Sequence, residues 1–173
     1  SSGAKSINRA LVDALPYLRD LKDTIQFLHQ TGLKDYEAVR DAYRQEGFKG
    51  TITPFIYQMG EAYAVADIVI SRAGATTLAE LTALGKPALL VPYPHAAGDH
   101  QEVNARKLLE IGAARMIPDR ELSGESLANT IRELYANEAV RAGMQRSGMD
   151  VGRPEASARI ADIAVSLTKQ ATT

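Results

Sequence analysis

Asp67-Ile68-Val69-Ile70-Ser71 runs without a break into Arg72-Ala73-Gly74-Ala75-Thr76-Thr77 and then into Leu78-Ala79-Glu80-Leu81-Thr82-Ala83-Leu84, which stops at Gly85. The first piece is a short apolar run of the strand type. The last, from Thr77 to Leu84, is a helix closed by a glycine. A strand that feeds a helix through small residues is one βα unit, and the unit recurs in both directions.

Downstream, Pro87 to Pro92 reads as a strand, Asp99 to Ile111 as a helix, and Ala113 to Ile117 as a strand. Ser123 to Tyr135 is a helix with Ser123 in the N-cap position. Upstream, Ile7, Leu11, Ala14, Leu15 and Leu18 form one buried stripe of a helix. Thr24 to Leu28 is then a strand, His29 to Gly32 a loop, Asp35 to Glu46 a helix, Gly50 to Pro54 a strand and Gln58 to Ala64 a short helix. Ala139 to Thr168 carries no strand signal and reads as helices broken near Gly148, Gly152 and Pro154.

Strict alternation of strands and helices, with continuous apolar strands, predicts a doubly wound α/β fold with a parallel sheet. The 173 residues are enough for one domain with a substantial core. Residues 1–168 form that domain and 169–173 a short tail. A net charge of -1 with scattered Lys and Arg gives no basic stripe, which argues against nucleic acid as a partner. With no cysteine, disulfides, thiolate metal sites and cysteine nucleophiles are excluded, and the composition is compatible with a reducing cytoplasm. The apolar runs fall far short of the roughly 20 residues that cross a bilayer.

In a doubly wound sheet, ligands sit beyond the carboxyl ends of the strands. The Arg72–Thr77 loop places small residues and backbone N–H groups where a helix begins, a local structure that attracts phosphate. Thr76 and Thr77 can cap the helix or donate to phosphate oxygen. Thr77 and Glu80 have capping-box spacing, while the Glu80 carboxylate can equally accept two ribose hydroxyls. Ser1-Ser2-Gly3-Ala4 is a frayed end or a second phosphate cradle. Pro92 to Gln101 is long and polar, with His100 and Gln101 suited to sugar hydroxyls and Asn104 suited to brace the loop; the alternative makes Asp99 a simple N-cap. His29, His95 and His100 lie on separate loops without metal-ligand spacing, so no metal site is expected. GxSxG, P-loop and GxGxxG patterns are absent, which disfavours hydrolase, P-loop and dinucleotide readings.

Taken together, these loops resemble the MurG-type N-acetylglucosaminyltransferases. Ser1-Ser2-Gly3-Ala4 with Asn8 is similar to the end of their GGSxGAxxxN loop, and His29-Gln30-Thr31-Gly32 to their HQTG segment. Phe55 to Met59 with Ala66-Asp67, Arg72 to Glu80, and His95 to Asn104 follow in the same order. The resemblance runs from Ser1 to about Ala164. It implies the C-terminal, Rossmann-like half of a two-domain GT-B enzyme, the half that holds the donor UDP-N-acetylglucosamine, with no metal or other cofactor.

Carried over to this sequence, the resemblance implies a backbone contact from Ile56 to uracil, with Met59 packed beside it, and the ribose hydroxyls on Glu80. Ser1, Ala75, Thr76 and Thr77 would hold the diphosphate, and His100 and Gln101 would read the N-acetylglucosamine hydroxyls, with Arg72 and His95 shaping the site. Two departures stand out: Ser2 replaces a common Gln, and the strand and two glycines expected before Ser1 are absent. The acceptor half, which the family uses for undecaprenyl-diphosphate-linked N-acetylmuramoyl pentapeptide, is not in this sequence. No general base is found here, so the chain alone is expected to be inactive. The resemblance also implies that the full enzyme is cytoplasmic and works at the inner face of the membrane. Another GT-B donor domain, a non-catalytic sugar-nucleotide-binding module and a ligand-free structural partner are the competing readings.

Overall fold

The computed structural model describes residues 4–95 and 99–170. In chain order the elements are α1 (Lys5–Ala14), β1 (Phe27–Gln30), α2 (Tyr36–Glu46), β2 (Gly50–Thr53), α3 (Met59–Val65), β3 (Val69–Ser71) and α4 (Ala75–Ala83). They continue with β4 (Ala88–Leu90), α5 (His100–Glu110), β5 (Ala114–Met116), α6 (Gly124–Ala136), α7 (Glu138–Val151) and α8 (Ala156–Gln170).

All strand pairs are parallel. β1 pairs with β2, from Phe27 opposite Gly50 to Gln30 opposite Thr53. β4 lies between β3 and β5 in a three-stranded sheet. Successive strand residues face opposite sides, and the packing follows that rule. Ile70 and Leu89 meet a core built with Leu11, Leu15, Leu18, Leu127 and Ile131, from α1, the turn after it and α6. Val69, Ala88 and Leu90 meet a second core with Tyr63, Leu78, Leu81 and Leu108, from α3, α4 and α5. The three-stranded sheet is therefore covered on both faces. Phe27 and Ile52 pack against the first core, which joins the β1–β2 pair to the rest.

Several boundaries differ from expectation, each for a local reason. The first helix gives way to a 3-10 turn over Leu15–Leu21, because Pro16 has no N–H for the α-helical ladder. The following strand starts at Phe27 rather than Thr24: the Thr24 and Ile25 N–H groups close that turn onto the Leu21 carbonyl at 2.9 and 3.0 Å. His29 and Gln30 consequently belong to β1 and not to a loop. The chain does break at Gly152 and Pro154, but Gly148 lies inside α7. A Cβ there would sit 3.9 Å from the Thr82 Cα, so the glycine lies where α7 packs on α4 rather than at a break.

α6 begins as expected at Ser123, whose Oγ accepts the Ser126 N–H at 3.0 Å while the Ser126 Oγ accepts the Ser123 N–H at 2.9 Å. Gly124, the next residue, lets α6 lie against α1. A Cβ at that position would meet the backbone of Asp13 and stand 2.8 Å from its Cβ. Gly124→Ala must push the two helices apart, and overpacking of this kind costs about 1–3 kcal/mol. The expected outcome is a lower urea midpoint with an unchanged slope; an unchanged midpoint would show that the contact yields at no cost.

Candidate functional site

The site elements meet at the carboxyl ends of the strands. α4 starts at Ala75, two residues before the expected position, with Gly74 as an extended N-cap that has no side chain to give. The first intrahelical bond runs from the Leu78 N–H to the Gly74 carbonyl, 3.0 Å. The N–H groups of Ala75, Thr76 and Thr77 precede it and have no carbonyl of their own helix to meet. The helix start is thus a set of exposed or half-exposed donors carrying the positive end of the helix dipole.

The shift also decides the role of Glu80. Since Ala75 opens the helix, Glu80 lies too far inside to be the closing member of a capping box. It shares a helix face with Thr76 and Thr77, four and three residues earlier. Its Oε2 accepts the Tyr63 hydroxyl of α3 at 2.9 Å. Glu80 itself is exposed and Tyr63 is buried.

Met59 is the first residue of α3, and Ile56 lies in the loop before it. The Ile56 N–H donates to Gln30 Oε1 at 2.9 Å, which leaves the Ile56 carbonyl for a ligand. Phe55 and Tyr57 flank it with their rings edge to face at 4.9 Å. On the other side of α4, His100 and Gln101 open α5 after Asp99, whose φ of 52° is left-handed. Asp99 occupies the N-cap position but gives no side-chain cap. Such a backbone costs of order 1 kcal/mol for a non-glycine residue.

Gln101, read from the sequence as a sugar-hydroxyl group, bridges two loops in the fold. Its Oε1 accepts the Ala73 N–H at 3.2 Å and the Tyr93 N–H at 3.0 Å, tying the loops after β3 and β4 together. Gln101 thus braces the two loops, and among the described residues its Nε2 has no partner. His95 stacks edge to face on Tyr93 at 5.6 Å. Ser1 lies outside the described residues, as does the 96–98 part of the long loop.

Beneath these loops, Arg72 joins four segments. Its Nη1 donates to Asp119 Oδ1 at 2.6 Å and to the Val91 and Pro92 carbonyls at 3.1 Å each, and its Nη2 donates to Ser6 Oγ at 2.7 Å. Ser6 donates in turn to Asp119 Oδ1 at 2.6 Å. Burial alone would raise the Asp119 pKa, but donation from Ser6 and Arg72 and the Arg72 charge outweigh it and hold the carboxyl below its ordinary value. Arg72 also lies over the Tyr93 ring at 5.3 Å. A concavity of about 290 Å³ beside this cluster is lined by Tyr93, Asp99, Glu102 and Asp119. Arg120 lines it as well, so its wall carries both charges. The cavity between α2 and β2, about 330 Å³, is lined by Tyr36, Arg40, Arg44 and Phe48 and includes none of the loops described above.

Tyr63, Gln30, Ser6 and Asp119 carry no motif signal in isolation, because each acts through a partner distant in sequence. Only Gln30 fell inside a segment singled out by its pattern.

The buried support under α1 is polar. Asn8 Nδ2 donates to the Thr31 carbonyl and to Asp35 Oδ2, both at 2.8 Å, which leaves its Oδ1 to accept from His29 Nε2 at 3.0 Å. His29 Nδ1 then accepts from the Tyr43 hydroxyl at 3.3 Å. Both imidazole nitrogens are used in the neutral form, and burial lowers the His29 pKa from 6.5 to about 4.

Parallel strands covered by helices on both faces, with an open helix start and a carboxylate on one ligand-facing surface, define an α/β domain suited to a phosphorylated, hydroxyl-bearing ligand. The chain belongs to the glycosyltransferase family 28 C-terminal domain family, whose model matches residues 1–162. It is 50% identical over 170 residues to the UDP-N-acetylglucosamine--N-acetylmuramyl-(pentapeptide) pyrophosphoryl-undecaprenol N-acetylglucosamine transferase of Thermodesulfovibrio yellowstonii, covering 98% of this chain and 46% of that protein. The enzyme of the same name from Myxococcus xanthus is 49% identical, with 98% and 44% covered. Among solved structures, MurG of Acinetobacter baumannii superposes with a TM-score of 0.80 at 34% identity, over 93% of this chain and 48% of that one. A putative UDP-N-acetylglucosamine 2-epimerase from Listeria monocytogenes, at 14% identity and TM-score 0.67 over 96% of this chain and 43% of that one, shares the fold. The chain spans about half the length of the curated relatives it matches.

His29 makes folding pH-dependent in a defined direction. Between pH 6.5 and about 4 the unfolded chain binds the proton that folded His29 refuses. Its contribution is therefore complete above pH 6.5 and lost as the pH falls toward 4. A pKa displaced that far corresponds to a loss of about 3 kcal/mol. Urea midpoints taken between pH 7 and pH 4.5 should fall, and His29→Gln should flatten that slope. An equal slope in both proteins would remove His29 as its source.

Proposed function

We propose that this chain is the donor-binding half of a peptidoglycan glycosyltransferase that moves N-acetylglucosamine from its UDP ester to lipid-linked N-acetylmuramoyl pentapeptide, converting lipid I to lipid II. The observation that carries the reading is the α4 surface, where the Ala75, Thr76 and Thr77 N–H groups that the helix itself leaves unpaired share one face with the Glu80 carboxylate. Phosphate on the helix start and ribose on Glu80 match the adjoining diphosphate and ribose of a uridine diphosphate. The names of the transferases to which the chain is similar support the choice of sugar and acceptor. Uracil meets the Ile56 carbonyl beside Met59, Ser1 adds to the diphosphate cradle, and His100 with the Gln101 Nε2 read the sugar.

On this reading the acceptor C4 hydroxyl attacks the anomeric carbon with inversion as the bond to UDP breaks. Charge builds on the departing diphosphate, and preorganised N–H donors at α4 stabilise it more in the transition state than in the ground state. The group that takes the proton from the acceptor belongs to the other half of the enzyme, as does the acceptor site, so this chain alone turns nothing over. Residues 1–168 act as one donor-binding unit. The β1–β2 pair and the β3–β4–β5 sheet are parts of one doubly wound arrangement. Among the described residues no helix is long and apolar enough to cross a membrane, and contact with the inner leaflet falls to the whole enzyme, which is otherwise cytoplasmic.

Calorimetry of the chain with UDP, UDP-N-acetylglucosamine and the galacto epimer tests this. UDP and UDP-N-acetylglucosamine should bind, with the epimer at least about tenfold weaker, a difference of about 1.4 kcal/mol. Glu80→Ala should weaken UDP by about 1.5–3 kcal/mol, the range for hydrogen bonds to a charged group. No binding of any of the three would sink the donor-site reading. Equal binding of the epimers would remove the sugar-reading role of His100 and Gln101.

A further inference from the structure

We propose that Tyr63 is a positioning residue for nucleotide recognition, its hydroxyl holding the Glu80 carboxylate in the orientation that accepts the ribose. The inference rests on the reading of Glu80 as the ribose ligand and adds a residue that itself does not touch the nucleotide. Tyr63 is buried at 6% exposure, and its ring packs in the core between α3, α4 and α5. The ring is thereby fixed, and its hydroxyl reaches Glu80 Oε2 at 2.9 Å. Burial first, and then the hydrogen bond and charge of Glu80, push the Tyr63 pKa well above its ordinary value, so the hydroxyl is a constant donor.

A glutamate on an exposed helix face samples many rotamers and must lose that freedom when a ligand arrives. Glu80 surrenders it beforehand, to a donor standing on a rigid ring. Among the described residues its Oε1 has no partner, and Oε2 keeps a further lone pair beyond the one Tyr63 occupies, so both oxygens can accept from vicinal hydroxyls. The support for Tyr63 is itself anchored. Lys86 Nζ donates to the Ala66 carbonyl at 3.0 Å and to the Ala64 carbonyl at 3.4 Å, closing the end of α3 onto the turn after α4. Met59 lies one helical turn before Tyr63 on α3. One short helix therefore sets the spacing between the base contact at its start and the ribose contact across from its end.

Tyr63→Phe keeps the ring and removes the donor. The test compares the affinities of UDP and 2′,3′-dideoxy-UDP for the unaltered chain, Tyr63→Phe and Glu80→Ala, with thermal melting to establish that each variant folds. The unaltered chain should prefer UDP by at least tenfold. Tyr63→Phe should lose three- to tenfold in UDP affinity while holding dideoxy-UDP within twofold, and Glu80→Ala should bring the preference close to one. If Glu80→Ala abolishes the preference but Tyr63→Phe retains it in full, the positioning role fails and the ribose reading stands. If Tyr63→Phe weakens both ligands equally, its role is structural and the proposal is overturned. If the unaltered chain shows no preference, the ribose reading fails and the inference falls with it.

Discussion

The Arg72 guanidinium is the joint on which the ligand-facing end depends. Parallel strands end side by side with carbonyls and loops that have no ladder to join, and something must hold those loops in register. Arg72 does so from the end of β3, taking the Val91 and Pro92 carbonyls after β4, Asp119 after β5 and Ser6 at the start of α1. A planar group with five fixed donors can bind acceptors from several directions at once, which a lysine ammonium on a flexible stem does less well. The pair is only about one-fifth exposed on each side. Its value lies less in net stability than in specifying one arrangement of loops, since buried pairs are weak contributors to stability when desolvation is counted.

Two further devices extend that order. Gln101 bridges the Ala73 and Tyr93 N–H groups, so the second residue of α5 sets the distance between the α4 start and the long loop. At the other end of the site, Gln30 holds Ile56 and Tyr63 holds Glu80. Gln101 and Glu80, both read from the sequence as ligand groups, thus already have partners in the fold. Among the described residues, the groups left over are backbone N–H at α4, the Glu80 carboxylate with its remaining lone pairs, the Gln101 amide nitrogen and the Ile56 carbonyl. They form a polar surface of limited and specified capacity, which is how a site tells hydroxyl patterns apart.

The polar network of Asn8, His29, Thr31, Asp35 and Tyr43 works on the same principle deeper in the molecule. It fixes the first turn of α1 to the end of β1 through bonds that are all satisfied in the neutral state of His29. A buried polar cluster specifies one geometry when every member has a partner. The carboxyl end of β1 is therefore rigid where Gln30 leaves it to reach Ile56.

Periodicity in the sequence was sufficient for the alternating βα order, for the parallel strands and for the helix start after Ser71, because these follow from local spacing and from residues that favour one backbone. The family resemblance named the segments that stand at the carboxyl ends of the strands. Boundaries escaped it where a distant or unusual group intervened: Pro16 turned a helix into a tighter one, and Gly74 displaced the start of α4 so that Glu80 left the cap and turned toward α3. The bridge made by Gln101 and the contacts of Tyr63, Gln30, Ser6 and Asp119 were decided by tertiary structure alone. Each depends on a hydrogen bond between residues many positions apart, and such bonds are set by how helices pack on the sheet, which no local run of sequence records.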